Sequence, residues 1–244
     1  PRCPGRTSIV LERPLFNPSP ATGSSTLFGR LCSLAGALPL GGFLLLHLAE
    51  QALVLGRSER AERDLPSTPL RATLALELEF VYLPLLFHAG YGLVTSVQRQ
   101  GTGTVPPAPL GSRVLERRAL QRAAGVVLCA FLLLHLWQFR VRLWSGELAP
   151  ADVSSELAAS LSSTALGGVP VMAIGYLIGV GAAAFHFSHG LHGVCRTWDI
   201  TLSARAARIS AGLFTVTGVA LFMVGALTVI YLATGSVRPP SAGH

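Results

Sequence analysis

The sequence predicts an all-α membrane protein in which five transmembrane helices cross the bilayer, four forming a bundle and the fifth flanking it. Half of the 244 residues are hydrophobic and 13% are charged, roughly half the charged fraction of a soluble domain. Five segments are apolar over the ~20 residues that a helix needs to cross a bilayer. Two short phrases containing histidine each occur twice within those segments.

The five apolar segments cover residues 28–55, 71–97, 118–143, 169–194 and 207–233. They predict one transmembrane domain from residue 28 to residue 233, an N-terminal tail of residues 1–27 and a C-terminal tail of residues 234–244. Residues 145–168 contain acids and serines and are long enough for a short helix at the membrane surface. No connection is large enough to bury a core of its own, so we expect no soluble domain.

The repeated phrases relate the first four segments to one another. FLLLHL places His47 in the first segment and His135 in the third. The pattern Phe-His-x-x-x-Gly-Leu places His88 in the second segment and His186 in the fourth. The repeats predict a parallel internal duplication, in which the first two helices are followed by two equivalent helices. The fifth segment has no histidine and no counterpart, and is therefore expected to flank the bundle.

Two prolines, Pro39 and Pro84, lie inside the first and second segments. Proline lacks the backbone N–H and frees a carbonyl one turn earlier, so both helices are expected to kink. Pro84 lies one turn before His88 and is expected to help aim that side chain.

The formal charge of +7 comes from 19 arginines without any lysine. A basic balance can indicate nucleic-acid binding, but these arginines lie at the ends of apolar segments, where they anchor helices and set topology. We therefore expect no nucleic-acid partner. An orientation with the N-terminus in the cytoplasm places 12 arginines inside and 7 outside, which the positive-inside rule favours.

The four repeated histidines are predicted to form two pairs at different depths. Each lies 17 residues after the inferred start of its segment, counted from Arg30, Arg71, Arg118 and Val169. Because successive helices are antiparallel, His47 and His135 form an outer pair and His88 and His186 an inner pair, roughly 10 Å apart in depth. In an up-down-up-down bundle each pair belongs to diagonal helices and faces across the interior.

This arrangement indicates two b-type haems. Imidazole is costly to bury in hydrocarbon without a partner, and a bis-histidine haem needs one nitrogen on each face of a flat macrocycle. A single histidine in a span is more often a packing or hydrogen-bonding residue, but four at matched positions favour one shared explanation. His189 and His192 lie three and six residues past His186, nearer the cytoplasmic end, and are expected to be interfacial partners of a haem propionate rather than ligands.

At these residues the chain resembles the five-helix, two-haem cytochrome b anchor subunits of menaquinone-linked succinate dehydrogenases and fumarate reductases. The resemblance covers roughly residues 28–233, including GGFLLLHL, LELEFVYLPLLFHAGYGL, CAFLLLHLW and FHFSHGLHGVCRTWDI. It implies that His47, His88, His135 and His186 are the axial ligands. Family members often have histidine where Cys32 stands, and some have an intramembrane glutamate where this chain has Ala184, so that proton route is not supported here.

The resemblance further implies a complex in the bacterial cytoplasmic membrane. A flavoprotein subunit would oxidise succinate, an iron–sulphur subunit would pass electrons to the inner haem, and the outer haem would reduce menaquinone or another quinone. Glu77 aligns with a family acid in the second helix and is the candidate for quinone-site proton transfer. Ser33, Arg30 and Arg122 are candidates for propionates of the inner haem. Membrane lipid and a higher oligomer of the complex are further expected partners.

Three alternatives remain open from the residues. The chain could be a diheme cytochrome b for another dehydrogenase, such as a hydrogenase or formate dehydrogenase. Its histidines could line a proton-conducting transporter or channel, in which case no haem absorption band is expected. An iron–sulphur centre could replace one haem, but Cys129 lies six residues before His135, nearly opposite on the helix, which argues against it.

Overall fold

The structure, a computed structural model, describes residues 23–54, 76–101, 113–165, 167–201 and 203–234. Over these residues the chain is helical, and the only non-helical pairing within them is an isolated bridge between Ala165 and Val169. Five helices in this part of the chain are long and apolar enough to cross a membrane. The predicted all-α membrane fold is confirmed.

The first three membrane helices are each interrupted by a π-helical turn. Helix α1 consists of Gly23–Ala35, a π-turn over Gly36–Leu40, and Gly41–Val54. Helix α2 contains a π-turn over Leu78–Tyr82 and continues over Leu83–Gly101. Helix α3 consists of Arg113–His135, a π-turn over Leu136–Val141, and Arg142–Ser145.

The second half contains one short helix and two long regular ones. A 3₁₀ turn over Pro150–Asp152 leads into α4, Val153–Ser162, which is the short helix expected between the third and fourth segments. The fourth and fifth membrane helices are α5, Val171–Thr197, and α6, Ala204–Ala233. The side chain of Ser203 caps α6 by accepting a hydrogen bond from the Ala206 N–H, which satisfies one orphan donor of the first turn.

Several predicted helix ends differ from those in the structure. Helices α1 and α3 extend at least five residues before the predicted starts at 28 and 118. The reason is that loss of apolarity marks the edge of the hydrocarbon, whereas a helix continues as long as its backbone hydrogen bonds do. Residue 55, the expected start of α2 at 71–75 and the tail residues 1–22 and 235–244 lie outside the described residues.

Each of the two prolines lies in or directly after a π-turn. Pro39 is inside the π-turn of α1, and Pro84 is the second residue after the π-turn of α2. Proline cannot donate to the carbonyl four residues earlier and its ring crowds that carbonyl, and a wider turn accommodates both effects. Where the sequence led us to expect kinks at Pro39 and Pro84, the structure has π-helical turns in or next to these residues.

Helix α5 is the centre of the packing. It packs against α1, α3, α4 and α6, whereas α1 packs against α2 and α6. The contact between α5 and α6 is made at small residues: a Cβ on Gly218 would lie 2.5 Å from Ser188 Oγ, and one on Gly225 would lie 2.5 Å from Val180 Cγ1. Small residues let membrane helices approach closely and so gain van der Waals contact.

The most buried side chains gather where α5 begins and α6 ends. This cluster, which we call the outer cap, contains Phe139, Leu148, Leu161, Ala173, Tyr176, Val229 and Leu232. Helix α4 covers it by packing on α5 and α6, and Arg142 ties α3 to α4 through an ion pair with Glu156 at 2.7 Å. The outer cap therefore holds α4 against the end of the bundle that contains the outer pair.

Candidate functional site

The rings of the outer pair face each other between α1 and α3. Their centroids are 6.0 Å apart and their planes are inclined by 70°. Each ring stacks on the phenylalanine one turn earlier, His47 on Phe43 at 5.5 Å and His135 on Phe131 at 5.7 Å. The shared FLLLHL phrase therefore has a structural meaning, because the phenylalanine four residues before each histidine restricts the rotation of its ring.

The rings of the inner pair face each other between α2 and α5. Their centroids are 6.1 Å apart and their planes are almost perpendicular, at 88°. The structure thus brings together the same two pairs that depth and diagonal packing predicted from the sequence. All four histidines are partly buried.

Backbone carbonyls of neighbouring helices orient the inner pair. The Nδ1 of His88 lies 2.9 Å from the carbonyl oxygen of Cys32 on α1, and the Nδ1 of His186 lies 3.2 Å from that of Gln121 on α3. An Nδ1–H that donates to a carbonyl leaves Nε2 with its lone pair, which is the form that binds a metal. Cys32 and Gln121 are therefore part of the site through their backbones.

A glycine lies beneath each inner histidine, one turn after the residue whose carbonyl it contacts. A Cβ at Gly36 would lie 2.5 Å from His88 Cε1, and a Cβ at Gly125 would lie 3.1 Å from His186 Cε1. No side chain fits at Gly36 while the imidazole keeps its position. The two glycines let α1 and α3 approach the inner rings closely.

The π-turn of α1 aligns the two halves of the duplication. The inner contact Gly36 and the outer histidine His47 are 11 residues apart on α1, whereas Gly125 and His135 are 10 residues apart on α3. An extra residue in a regular helix rotates everything after it by about 100°. A π-turn absorbs one residue by bonding i to i+5, so His47 points to the same side as it would after 10 regular residues.

The residues present fit a bis-histidine haem. A bond from a metal to an imidazole nitrogen is about 2 Å, and the nitrogen is about 1 Å from the ring centroid, so two imidazoles on opposite sides of one metal have centroids roughly 6 Å apart. Among the described residues, no three His, Cys, Asp or Glu side chains converge as a metal site. Each pair supplies two ligands, which suits a macrocycle that supplies the remaining four.

One buried polar atom beside the inner pair has no partner. The side-chain Nε2 of Gln121 donates to the carbonyl of His186 at 3.0 Å, but its Oε1 is buried without a hydrogen-bond partner among the described residues. A buried acceptor without a donor costs free energy, so a donor from a bound group or water is expected there.

Glu77 is held in an ion pair with Arg140, which joins α2 to α3 on the side of the outer pair. The guanidinium also lies 5.7 Å from the ring centroid of Trp144, and Trp144 contacts Tyr82 at 5.8 Å. Both charged side chains are about one-fifth exposed. The neighbouring Glu79 is exposed on α2 and lines an apolar cleft of about 460 Å³ between α1 and α2.

The residues expected near haem propionates are only partly brought together. Ser33 accepts a hydrogen bond from the indole of Trp198 at 3.1 Å, and Arg30 pairs with Asp199 at 3.6 Å while lying over the Trp198 ring at 5.6 Å. Arg122 is exposed on α3, next to Gln121. His189 stacks on Phe185 at 5.5 Å. Arg30 and Ser33 therefore form one cluster at the inner end, and Arg122 is on a different helix.

Sequence reasoning missed three contributors to the site. These are the carbonyl of Cys32, the carbonyl and side chain of Gln121, and the hydroxyl of Tyr176, which lies 3.2 Å from His135 Nδ1. Backbone carbonyls leave no signal in a sequence. Tyr176 did leave one, because it is a hydroxyl-bearing residue inside an apolar span, and such a group requires a partner.

Comparisons with known proteins agree with this site. No family model and no solved structure matches the chain. The chain is 32% identical over 204 residues to the succinate dehydrogenase cytochrome b558 subunit of Bacillus subtilis (strain 168), which covers 81% of this chain and 92% of that protein. At this identity and coverage, and with five helices long and apolar enough to cross a membrane among its described residues, the chain belongs to the family of succinate dehydrogenase cytochrome b membrane subunits.

Proposed function

We propose that the chain binds two b-type haems, one between His47 and His135 and the other between His88 and His186. The observation that carries this proposal is the presence of two facing histidine pairs at nearly equal ring separations, 6.0 and 6.1 Å, on alternate helices. The relative's name, cytochrome b558, also supports a haem protein. Haem supplies one-electron transfer when it is bound.

The protein's own residues hold and orient these groups. Histidine imidazoles would bind on both faces, Phe43 and Phe131 restrict the outer rings, and the Cys32 and Gln121 carbonyls orient the inner rings. Arg30, Ser33 and Arg122 at the inner end, with His189, are the groups proposed to pair with propionates. Arg30 and Ser33 already lie in one hydrogen-bonded cluster with Trp198 and Asp199.

We further propose that the subunit carries electrons from an iron–sulphur subunit to menaquinone or another quinone in the bacterial cytoplasmic membrane. The dicarboxylate chemistry belongs to a flavoprotein partner, as the relative's role in a succinate dehydrogenase suggests. With the N-terminus in the cytoplasm, the inner pair is the one nearest the partners and the outer pair is nearest the quinone. The arginine distribution supports this orientation.

Haem stoichiometry tests the two-haem proposal. Purified complex is expected to contain two haems per copy of this chain in the pyridine haemochrome assay, and His135→Ala or His186→Ala is expected to remove one. His192→Ala is the matched control, because His192 lies on α5 but bonds to Ser210 on α6 at 3.1 Å. A colourless wild-type preparation would refute the two-haem proposal and favour the proton-conducting alternative. An unchanged haem content in His135→Ala and His186→Ala would refute the assignment of these histidines as ligands.

Glu77 is the group that we propose for proton transfer at the quinone site. It lies beside Arg140, five residues past His135 on α3, and quinone reduction needs protons as well as electrons. The ion pair would keep the carboxylate in place until the quinone oxygen requires a proton. General acid–base groups contribute roughly 10²–10⁴-fold to rate.

Glu77→Gln in the complete complex tests this role. Succinate-driven quinone reduction is expected to fall by about two orders of magnitude, while succinate-driven reduction of an artificial dye and the haem content stay at wild-type values. Glu79→Gln is the matched control two residues along the same helix. Equal quinone reduction in Glu77→Gln and wild type would remove Glu77 from the proton path.

A further inference from the structure

The outer histidine His135 is oriented by a side chain from another helix. Its Nδ1 lies 3.2 Å from the hydroxyl oxygen of Tyr176 on α5, and the Tyr176 hydroxyl donates to Oε1 of Gln138 at 2.8 Å. A phenol has only one proton. Because that proton is used toward Gln138, Tyr176 must accept a hydrogen bond from the Nδ1–H of His135, which leaves Nε2 free to bind a metal.

The hydrogen bonds continue beyond Gln138 to helix α4. Gln138 lies in the π-turn of α3, three residues past His135, and its Nε2 donates to Ser160 Oγ at 2.7 Å. With both ends of its amide engaged, Gln138 fixes the direction of the Tyr176 hydroxyl. A reversed amide would make Tyr176 donate to Nδ1 and would place the proton of the imidazole on Nε2, where a metal has to bind.

Packing holds the phenol in place. Tyr176 is 5% exposed and belongs to the outer cap, and its ring contacts Phe131 edge-on at 5.2 Å. Phe131 is also the ring on which His135 stacks. The two aromatic rings and the two hydrogen bonds together restrict both the rotation of His135 and the side on which it carries its proton.

This arrangement differs from that of the inner pair, where backbone carbonyls perform the same role. A hydrogen bond from the second nitrogen makes the first nitrogen a more basic ligand, and a more basic ligand favours the oxidised metal. A carbonyl cannot be altered by substitution of its residue, whereas a phenol can be removed by exchange for phenylalanine. The orientation of His135 is therefore under the control of one replaceable side chain.

We propose that Tyr176 is the positioning residue of the outer haem, which fixes the tautomer of His135 and lowers the reduction potential of that haem alone. The proposal rests on the two-haem function above. Gln138 and Ser160 support it by directing the phenol, so that α4 outside the membrane contributes to the electronic properties of a group inside it.

Redox titration of the Tyr176→Phe complex, followed by the haem α-band and by low-temperature EPR, tests the proposal. The midpoint potential that disappears in His135→Ala is expected to move to a more positive value in Tyr176→Phe, with altered g-values, while the other potential stays unchanged. Tyr231→Phe, on α6 beside the same outer cap, is the matched control and should move neither potential. Unchanged potentials and g-values in Tyr176→Phe would overturn the proposal.

Ser160→Ala provides a second variant outside the membrane helices. It releases Gln138 and is expected to move the same potential in the same direction by a smaller amount. Selective loss of the outer haem in Tyr176→Phe would also support a positioning role. If Tyr176→Phe instead loses both haems, the test is Ser160→Ala, and an unchanged midpoint potential in that variant would overturn the proposal. Fewer than two haems in the wild type would instead refute the proposed function itself.

Discussion

At the scale of single residues, glycine decides how closely a helix can approach a histidine of the site. The Gly36 backbone lies so near the His88 ring that a Cβ would be 2.5 Å from Cε1 and 2.8 Å from Nδ1. The ring cannot simply turn away, because its Nδ1 is bonded to the Cys32 carbonyl. Gly125 is less constrained, with 3.1 Å to the His186 ring, and nothing lies within 4 Å of a Cβ at Gly42.

We therefore expect a graded effect of alanine at these three glycines. Gly36→Ala should displace His88 and lower the content of the inner haem by at least half, Gly125→Ala should shift the spectrum of that haem with less loss, and Gly42→Ala should retain both haems. In a helix interior alanine is itself favoured over glycine by about 1 kcal/mol, so helix propensity cannot explain a loss. The measurement is haem content per chain with EPR g-values, and an equal loss in Gly36→Ala and Gly42→Ala would contradict the steric explanation.

At the scale of elements, the π-turns decide which way side chains of the candidate site point. Helix α1 has one more residue between Gly36 and His47 than α3 has between Gly125 and His135. The π-turn of α1, which contains Pro39, compensates for that extra residue. The third π-turn follows His135 directly and brings Gln138 to Tyr176. A π-turn costs hydrogen-bond geometry relative to α-helix and is retained where it places a functional side chain.

Deletion of Pro39 should be tolerated, because it removes the extra residue and the reason for the π-turn together. The spacing from Gly36 to His47 then becomes 10 residues, equal to that from Gly125 to His135, and both haems should remain. Deletion of Leu128 in α3 is the matched control, since it rotates His135 by about 100° relative to Gly125 and should lose a haem. Haem content per chain distinguishes the two variants, and loss in the Pro39 deletion with retention in the Leu128 deletion would reverse the interpretation.

At the scale of the whole molecule, the distribution of arginines supports the proposed orientation, and α4 with the outer cap marks one end of the bundle. Arginines at the inner end include Arg30, which pairs with Asp199 at the end of α5. At the opposite end Arg140 and Arg142 are neutralised by Glu77 and Glu156. Among the described residues, the arginines without an ion-pair partner are all at the inner end: Arg122, Arg196, Arg205 and Arg208. In a positive-inside orientation this end would face the cytoplasm.

Fusion proteins test that orientation. Alkaline phosphatase joined after the last residue should be active, since five spans from a cytoplasmic N-terminus end outside, and green fluorescent protein at the same position should be dark. The same two reporters joined after Gly101, at the inner end of α2, should give the opposite result and serve as the control. Active phosphatase at Gly101 and inactive phosphatase at the C-terminus would invert the assignment of inner and outer haems.

Much of the fold follows from pattern alone. Five apolar lengths predict five helices because lipid offers the backbone no hydrogen-bond partners, and the repeated phrases predict which histidines share a layer. Helix ends were predicted less well, since α1 and α3 continue past the apolar stretches. The propionate candidates remain predictions, and only Arg30 and Ser33 among them meet in one cluster.

What the sequence by itself determined is the class of protein, the number of spans and the two histidine pairs, because apolarity and repetition are properties of order along the chain. Only the tertiary structure decided what holds each imidazole: the Cys32 and Gln121 carbonyls, the space at Gly36, and the phenol of Tyr176. It also assigned Arg140 as the partner of Glu77. These contacts join residues that are 41 to 65 positions apart in the sequence. They form only when each helix has the right rotation about its axis. The π-turns change that rotation by one residue, and no periodicity in the sequence records such a change.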